Sequence, residues 1–150
     1  MFKSFRQFVR LYSEQKWLVL QAAAILPITY AGLELFGFQN LLTFIQNFTH
    51  VPHRLPSPDE LRADTTLFTA VVRRCPLPMK CLGRSVALCW LLRLRHVDAT
   101  VHIGVRKNQH DLDAHAWVQC GDFVINEAED VTERYARIVP NYPGVERRLF

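Results

Sequence analysis

The amino-acid sequence predicts an α+β protein in which helices come first and an antiparallel sheet follows. Apolar residues recur at helical spacing through the first part of the chain, up to about Arg95. Beyond it they alternate with polar residues in three short segments, 101–105, 114–120 and 123–126, as they do in strands. The pair Gly121-Asp122 between the last two segments suits a tight hairpin, which makes that pairing antiparallel.

The composition fits one domain that buries a moderate core. The chain has 150 residues, of which 49% are hydrophobic and 11% aromatic, and its formal net charge is +4. The basic residues of the middle are not interleaved with aromatic residues in a recognition motif, so we expect no nucleic-acid partner. There is no close-paired cysteine motif and no cleavable signal sequence, which favours a cytoplasmic protein.

The N-terminal part is amphipathic and then strongly apolar. Residues 1–16 carry aromatic and basic side chains at helical spacing, and residues 17–38 are almost wholly apolar. The apolar stretch is long enough to span a bilayer and follows basic residues, but Glu34 is costly inside lipid and Pro27 would kink a span. We therefore expect a packed or membrane-peripheral helix, with membrane association through residues 1–48 as a hypothesis to test.

A domain boundary is expected near residue 56, inside the proline-rich stretch 51–58. It divides the chain into an N-terminal helical segment, 1–56, and a second domain, 57–150. Ser57-Pro-Asp-Glu60 predicts the start of a helix, with Ser57 as its cap and Glu60 reaching back. Two prolines, in Cys75-Pro-Leu-Pro78, end this helix.

Cys81 and His115 are the candidate nucleophile and base. Cys81 begins a run that is apolar around most of a helical circumference, so its helix should be buried on several sides. A thiol at a helix N-terminus is biased toward thiolate by the unpaired N–H groups and the positive end of the dipole. His115 lies in the strand-like segment Ala114-His-Ala-Trp-Val118, where an imidazole can relay the thiol proton.

A third residue is needed to hold the imidazole in one tautomer and aim it at the sulfur. A two-residue hairpin turn places His115 opposite Ala128, so that Asn126 shares the face of the histidine. A bulge or a three-residue loop instead brings Glu127 across from His115. The register therefore leaves Asn126 and Glu127 as alternatives.

A helix that presents cysteine at its N-terminus, followed by an antiparallel sheet that carries histidine, is the layout of papain-like and transglutaminase-like thiol enzymes. Three blocks within roughly residues 64–130 also resemble a family with this layout. That family is the leader peptidases of lasso-peptide biosynthesis, the transglutaminase-like half of the lasso B protein. The blocks are Cys81-Leu-Gly-Arg-Ser-Val-Ala-Leu88, Ile103-Gly-Val-Arg-Lys107 and Ala114-His-Ala-Trp-Val118.

The resemblance implies a cysteine peptidase that removes the leader from a ribosomally synthesised precursor peptide. In this family Cys81 would be the nucleophile, His115 the base and then the acid, and an aspartate after the histidine completes the triad. The family's aspartate usually follows an asparagine. Here Glu127 takes that place after Asn126, and we favour Glu127 as the third catalytic residue.

The resemblance also implies partners and the absence of a cofactor. A separate ATP-dependent cyclase would form the macrolactam, and a separate leader-recognition protein would deliver the precursor, since 150 residues leave no space for a fused recognition domain. The apolar N-terminal helix would dock one of these proteins or the membrane. Cleavage needs no metal and no organic cofactor. A zinc site is disfavoured by the unusual His50-Val-Pro-His53 spacing beside Cys75 and Cys81.

Two other functions share the predicted layout. A transglutaminase-type acyltransferase would pass the acyl group to an amine, and a non-catalytic scaffold would only bind a peptide. Among the other residues, we expect Trp117 in the core or in the wall of the site, and Arg84 at a substrate carbonyl or over the helix surface. We expect packing roles for Cys75, Cys89 and Cys120.

Overall fold

The computed structural model describes residues 13–49, 56–109 and 111–138 and shows helices packed on an antiparallel sheet. The strand order is β3-β2-β1-β4, and neighbouring strands are antiparallel. The predicted α+β fold with an apolar N-terminal helix is thus confirmed. The helices are α1 (Ser13–Phe48), α2 (Pro58–Val72), α3 (Cys81–Leu94) and α4 (Val131–Arg134), and the strands are β1 (Thr100–Lys107), β2 (Leu112–Cys120), β3 (Phe123–Val124) and β4 (Ala136–Ile138).

Three stretches that carried predictions lie outside the described residues. They are most of the amphipathic start, residues 1–12, most of the proline-rich stretch, residues 51–55, and the end of the chain from residue 139 onward.

Helix α1 bends at Gly37, whose backbone takes a left-handed φ of 77°. Pro27 lies inside the same helix, but the residue with non-helical dihedral angles is the glycine, which adopts this region without steric cost. The bend lets both halves contribute to the core, for example through Leu26 and Ile45. Helix α1 therefore packs in the same hydrophobic core as the helix that begins at Cys81.

The opposite side of α1 is apolar and exposed. By length and composition this helix can cross a membrane, a criterion that core helices of soluble proteins and N-terminal signal sequences also meet. The largest exposed apolar side chains on it are Trp17, Leu20, Ile28, Leu35, Phe36, Phe44 and Phe48.

Helix α2 starts at the predicted capping box. The Ser57 hydroxyl accepts the Glu60 N–H at 3.2 Å, and the Glu60 carboxylate accepts the Ser57 N–H at 3.1 Å. Two otherwise unpaired donors are satisfied in this way. An ion pair of 2.9 Å between Asp64 and Arg95 then ties α2 to the end of α3.

Helix α3 is the central helix, as predicted from its all-round apolar surface. It packs against α1 on one side and against β2 on another. Its side chains from Leu82 to Leu92 are buried except that of Arg84. A helix fixed on several sides holds its first residue, Cys81, in a defined place relative to the sheet.

The hairpin between β2 and β3 has the predicted two-residue turn, with Cys120 paired to Phe123 and Gly121 at φ 57°. The expectation that pairing continues until His115 faces Ala128 is wrong, because β3 ends at Val124. Strand β4 was also not predicted. It is three residues long, Ala136-Arg-Ile138, which is too short for an alternating pattern to mark a strand in the sequence.

Candidate active site

The short β3 leaves the edge of β2 open next to His115, and side chains complete its hydrogen bonds. Val118 accepts the backbone N–H of Ile125 at 3.0 Å, but its own N–H donates to the Asn126 side-chain oxygen at 2.8 Å. The Ser85 hydroxyl donates to the carbonyl of Ala116 at 3.0 Å, and the Asn126 amide donates to Ser85 at 3.1 Å. Helix α3 is thereby fixed along this edge.

Cys81 faces the same edge, because it precedes Ser85 by four residues on α3. Its sulfur accepts hydrogen bonds from the backbone N–H groups of Ala116 and Leu82. The N-cap residue, Lys80, makes no side-chain capping bond, so the first turn keeps N–H groups available for other acceptors. The thiol is half-buried at this point.

His115 lies between Cys81 and Glu127. Its Nε2 is 2.7 Å from Oε2 of Glu127, and its side chain is also hydrogen-bonded to the Cys81 thiol. Since the carboxylate occupies Nε2, Nδ1 is the nitrogen available to the sulfur. The structure thus brings together Cys81, His115 and Glu127, the three residues predicted from the sequence.

The surroundings of Cys81 favour its thiolate. Burial works to raise the pKa of this thiol, but the hydrogen bond and the positive charge of His115, with the N–H groups of Ala116 and Leu82, outweigh burial and lower the pKa. A thiol with a lowered pKa beside an imidazole is the arrangement of an activated sulfur nucleophile.

The pKa of His115 moves in the complementary direction. The hydrogen bond to Cys81 raises it, burial opposes this, and the hydrogen bond and negative charge of Glu127 raise it further, so that the net shift is upward. The two shifts together favour a thiolate beside an imidazolium.

Two of the other cysteines are buried packing residues, as predicted. Burial raises the pKa of Cys89 to about 12, and burial also raises that of Cys120. Cys75 is half-buried and lies three residues beyond the end of α2. The lowered pKa of Cys81 is therefore a local property of its site.

Asn126 and Glu127, the two alternatives for the third residue, occupy different places. The Asn126 side chain is engaged by Val118 and Ser85, and the carboxylate of Glu127 contacts His115. The other carboxylate oxygen of Glu127 accepts its neighbour's N–H at 3.2 Å and lies 3.9 Å from an Arg134 nitrogen. Glu127 is thus held by several groups while it contacts the imidazole.

Tyr135 is a neighbour of the site that was not predicted from the sequence. Its ring lies 5.4 Å from the His115 ring, and its hydroxyl donates to Asp113 at 2.8 Å. Gly104 makes room for it, because a Cβ there would come within 2.8 Å of both Trp117 and Tyr135. The one signal in the sequence was this glycine within an alternating strand. Trp117 itself is fully buried beneath the tyrosine.

The described residues hold no group of three or more side chains that could bind a metal ion. His50 and His53, two members of the disfavoured zinc set, lie outside the residues that the structure describes.

Comparisons with known proteins place the fold in a family. No curated protein and no solved structure gave a match. A family model described as the transglutaminase-like superfamily matches residues 31–140, a stretch that contains the bend of α1, all of α3 and the whole sheet. Since the match covers most of the chain, the protein belongs to the transglutaminase-like superfamily.

Proposed function

We propose that this protein is a cysteine peptidase that removes the leader from a ribosomally synthesised lasso-peptide precursor. The observation that carries the proposal is the hydrogen-bonded series from Cys81 through His115 to Glu127. Membership of the superfamily supports thiol chemistry of the peptidase or acyltransferase kind. The resemblance of the three sequence blocks supports leader removal as the specific reaction.

The proposed reaction begins with attack of the Cys81 thiolate on the carbonyl carbon of the scissile peptide bond. The sulfur–carbon bond forms as the carbonyl π electrons move to oxygen, giving a tetrahedral oxyanion. His115, as imidazolium, then donates its proton to the leaving nitrogen, and the carbon–nitrogen bond breaks. The products of this half-reaction are an acyl-enzyme and the core peptide with a free amino terminus.

The second half-reaction returns the enzyme to its starting state. Neutral His115 takes a proton from water, the hydroxide attacks the thioester carbon, and Cys81 leaves as thiolate while the histidine keeps the proton. Glu127 would stabilise the imidazolium in both halves through its 2.7 Å contact with Nε2. The leader leaves with a new carboxylate.

Backbone N–H groups are the candidates for stabilising the oxyanion. The N–H of Cys81 belongs to the first turn of α3, whose amide groups have no acceptor within the helix. These donors and the dipole of a 14-residue helix would favour negative charge at its N-terminus. This part of the proposal needs no metal and no cofactor.

The proposal includes two partners, which rest on the family resemblance. A leader-recognition protein would present the precursor, and an ATP-dependent cyclase would use the new amino terminus to form the macrolactam. An acyltransferase would share the first half-reaction and differ only in the acceptor, an amine in place of water.

Cleavage of the precursor in the presence of the recognition protein tests the proposal. We expect the wild-type protein to release leader and core, and Cys81→Ala and His115→Ala to leave the precursor intact. Cys120→Ala is the control, because Cys120 is a buried cysteine of β2 that contributes to the pKa of neither Cys81 nor His115. Undiminished processing by the Cys81 and His115 variants would rule out the peptidase. A precursor that gains an amide adduct would indicate the acyltransferase, and binding without turnover would indicate a scaffold.

A further inference from the structure

A cavity beside the proposed nucleophile combines apolar walls with two arginines. Its volume is about 430 Å³, which is in the size range of ligand pockets. Val72 and Leu77, two of its apolar lining residues, are half-buried and so keep apolar surface exposed to a ligand. Arg73 and Arg84 line the same cavity and are exposed.

The cavity is connected to the candidate active site through its lining residues. Arg84 follows Cys81 by three residues on α3 and so lies on a neighbouring part of the same helix surface. Asn126, which also lines the cavity, is hydrogen-bonded to Ser85. Ser85 in turn bonds the carbonyl of Ala116, the residue whose N–H contacts the Cys81 sulfur. A peptide bound at Cys81 would therefore pass next to this cavity.

The two arginines have no carboxylate partner in the described residues 13–49, 56–109 and 111–138. By contrast, Arg93, Arg95 and Arg106 each pair with an aspartate. Guanidinium groups without a counter-charge in the lining of a partly apolar cavity are suited to binding a carboxylate on a ligand whose apolar part enters the cavity. The charge of the cavity is thus complementary to an acidic, partly apolar peptide.

We propose that this cavity binds an acidic segment of the substrate, with an apolar side chain against Val72 and Leu77 and a carboxylate held by Arg73 and Arg84. The inference rests on the proposed function, because it takes a peptide at Cys81 as the substrate. It adds a chemical requirement on that peptide, an acidic residue near the bond that is cleaved.

Peptides that alkylate the Cys81 thiol test this requirement without knowledge of the precursor. In one series, acetylated tetrapeptides end in a chloromethyl ketone and extend along the acyl side of the site. In the other, tetrapeptides begin with a chloroacetyl group and extend along the leaving-group side. In both, the sulfur displaces chloride and forms a thioether. A leucine next to a glutamate, glutamine or lysine is placed at each position in turn, and the rate of Cys81 modification is measured by mass spectrometry.

We expect at least one glutamate peptide to modify Cys81 about tenfold faster than its lysine counterpart, as one charge-assisted hydrogen bond would produce. Arg73→Glu and Arg84→Glu should abolish or reverse this preference. Arg74→Glu is the matched control, because it makes the same charge change next to Arg73 but the cavity does not include it. Equal rates for glutamate and lysine peptides at every position, or a preference that survives Arg73→Glu and Arg84→Glu, would overturn the inference.

Iodoacetamide separates this inference from the proposed function, because it reacts with a thiolate and needs no cavity. If iodoacetamide labels Cys81 fast and in a His115-dependent way, but the peptides show no preference for glutamate over lysine, the nucleophile is supported and the acidic subsite is contradicted. If the thiol is unreactive, the cavity can still be tested with fluorescent peptides that lack the electrophile. Their binding to the Cys81→Ala variant is measured by fluorescence anisotropy. A glutamate preference that Arg73→Glu removes would then support the subsite, and its absence would contradict it.

Discussion

The Glu127 carboxylate lies 2.7 Å from Nε2 of His115, although Glu127 is outside the β-ladder. The pairing of β2 with β3 ends at Val124, and the side chain of Asn126 then closes the ladder on Val118. Glu127, the next residue, therefore does not pair in the sheet, and its side chain, which is longer than that of an aspartate, reaches the imidazole. A glutamate in this place is therefore explained by where the strand ends.

Removal of the Glu127 charge should lower turnover without unfolding the protein. We expect Glu127→Gln to reduce kcat for a saturating precursor by about 100-fold, because the carboxylate no longer stabilises the imidazolium. The kcat of Glu127→Asp should lie between those of Glu127→Gln and the wild type, since a side chain shorter by one methylene does not span the same distance to the imidazole. The decrease is measured by single-turnover cleavage. An unchanged kcat in Glu127→Gln would show that Glu127 is not the third member.

Asn126 should matter for stability, because its amide satisfies the Val118 N–H and bonds the Ser85 hydroxyl. We expect Asn126→Ala to lower the free energy of unfolding by about 1–3 kcal/mol, the cost of leaving a buried donor without a partner. Urea denaturation measures this. Ser85→Ala should also destabilise, and the double variant should lose less than the sum of the two, since both remove the same hydrogen bond. Additive losses would contradict the shared network.

Much of this site was predictable from local chemistry. The capping box at Ser57, the helix that starts at Cys81 and the hairpin at Gly121 each follow from residues within a few positions, and the structure agrees with all three. The choice between Asn126 and Glu127 depended on the length of β3. That length is set by side-chain hydrogen bonds from distant parts of the chain, which no local pattern reveals.

Strand β4 and the position of Tyr135 could not be predicted from the sequence for a similar reason. Three residues are too few to show alternation, and β4 exists because β1 offers it an edge, with Gly104 paired to Arg137. Tyr135 becomes a neighbour of His115 only through this pairing. Both features thus depend on strand pairing between distant parts of the chain, which the periodicity of apolar residues does not predict.

The reactivity of Cys81 toward iodoacetamide should show a lowered pKa. The rate rises with pH as thiolate forms, so we expect its midpoint below the ordinary value of 9.0 and measurable labelling at neutral pH. In His115→Ala the hydrogen bond and the charge that lower the pKa are lost while burial remains, so the midpoint should move up and labelling at pH 7 should slow. Cys89, whose pKa is about 12, is an internal reference that should stay unmodified. A midpoint that is the same in both proteins would contradict an activated thiol.

Two buried glycines should respond in opposite ways to alanine. At Gly104 a Cβ would meet Trp117 and Tyr135 at 2.8 Å, so we expect Gly104→Ala to cost about 1–3 kcal/mol of unfolding free energy and to lower activity by displacing the neighbour of His115. At Gly83 the nearest atom is the flexible end of Met79, at 3.0 Å. Gly83→Ala should therefore be neutral or stabilising, because alanine favours the helix by about 1 kcal/mol. Thermal unfolding of the two variants measures the difference. Equal destabilisation by both would show that the close approach at Gly104 is not what matters.

Helix α1 should behave as a packed helix that contacts membranes at most from the side. Leu18, Leu26 and Leu33 are buried in the core, and a bilayer span would remove them from it. We expect carbonate extraction at high pH to release the full-length protein from a membrane fraction, as it releases peripheral proteins. Ile28→Lys and Leu35→Lys, on the exposed apolar side, should reduce binding to anionic lipid vesicles while the thermal midpoint stays close to the wild-type value. Protein that stays in the carbonate pellet and needs detergent for release would instead indicate a span, because a span is held by apolar contacts that charge and pH do not break.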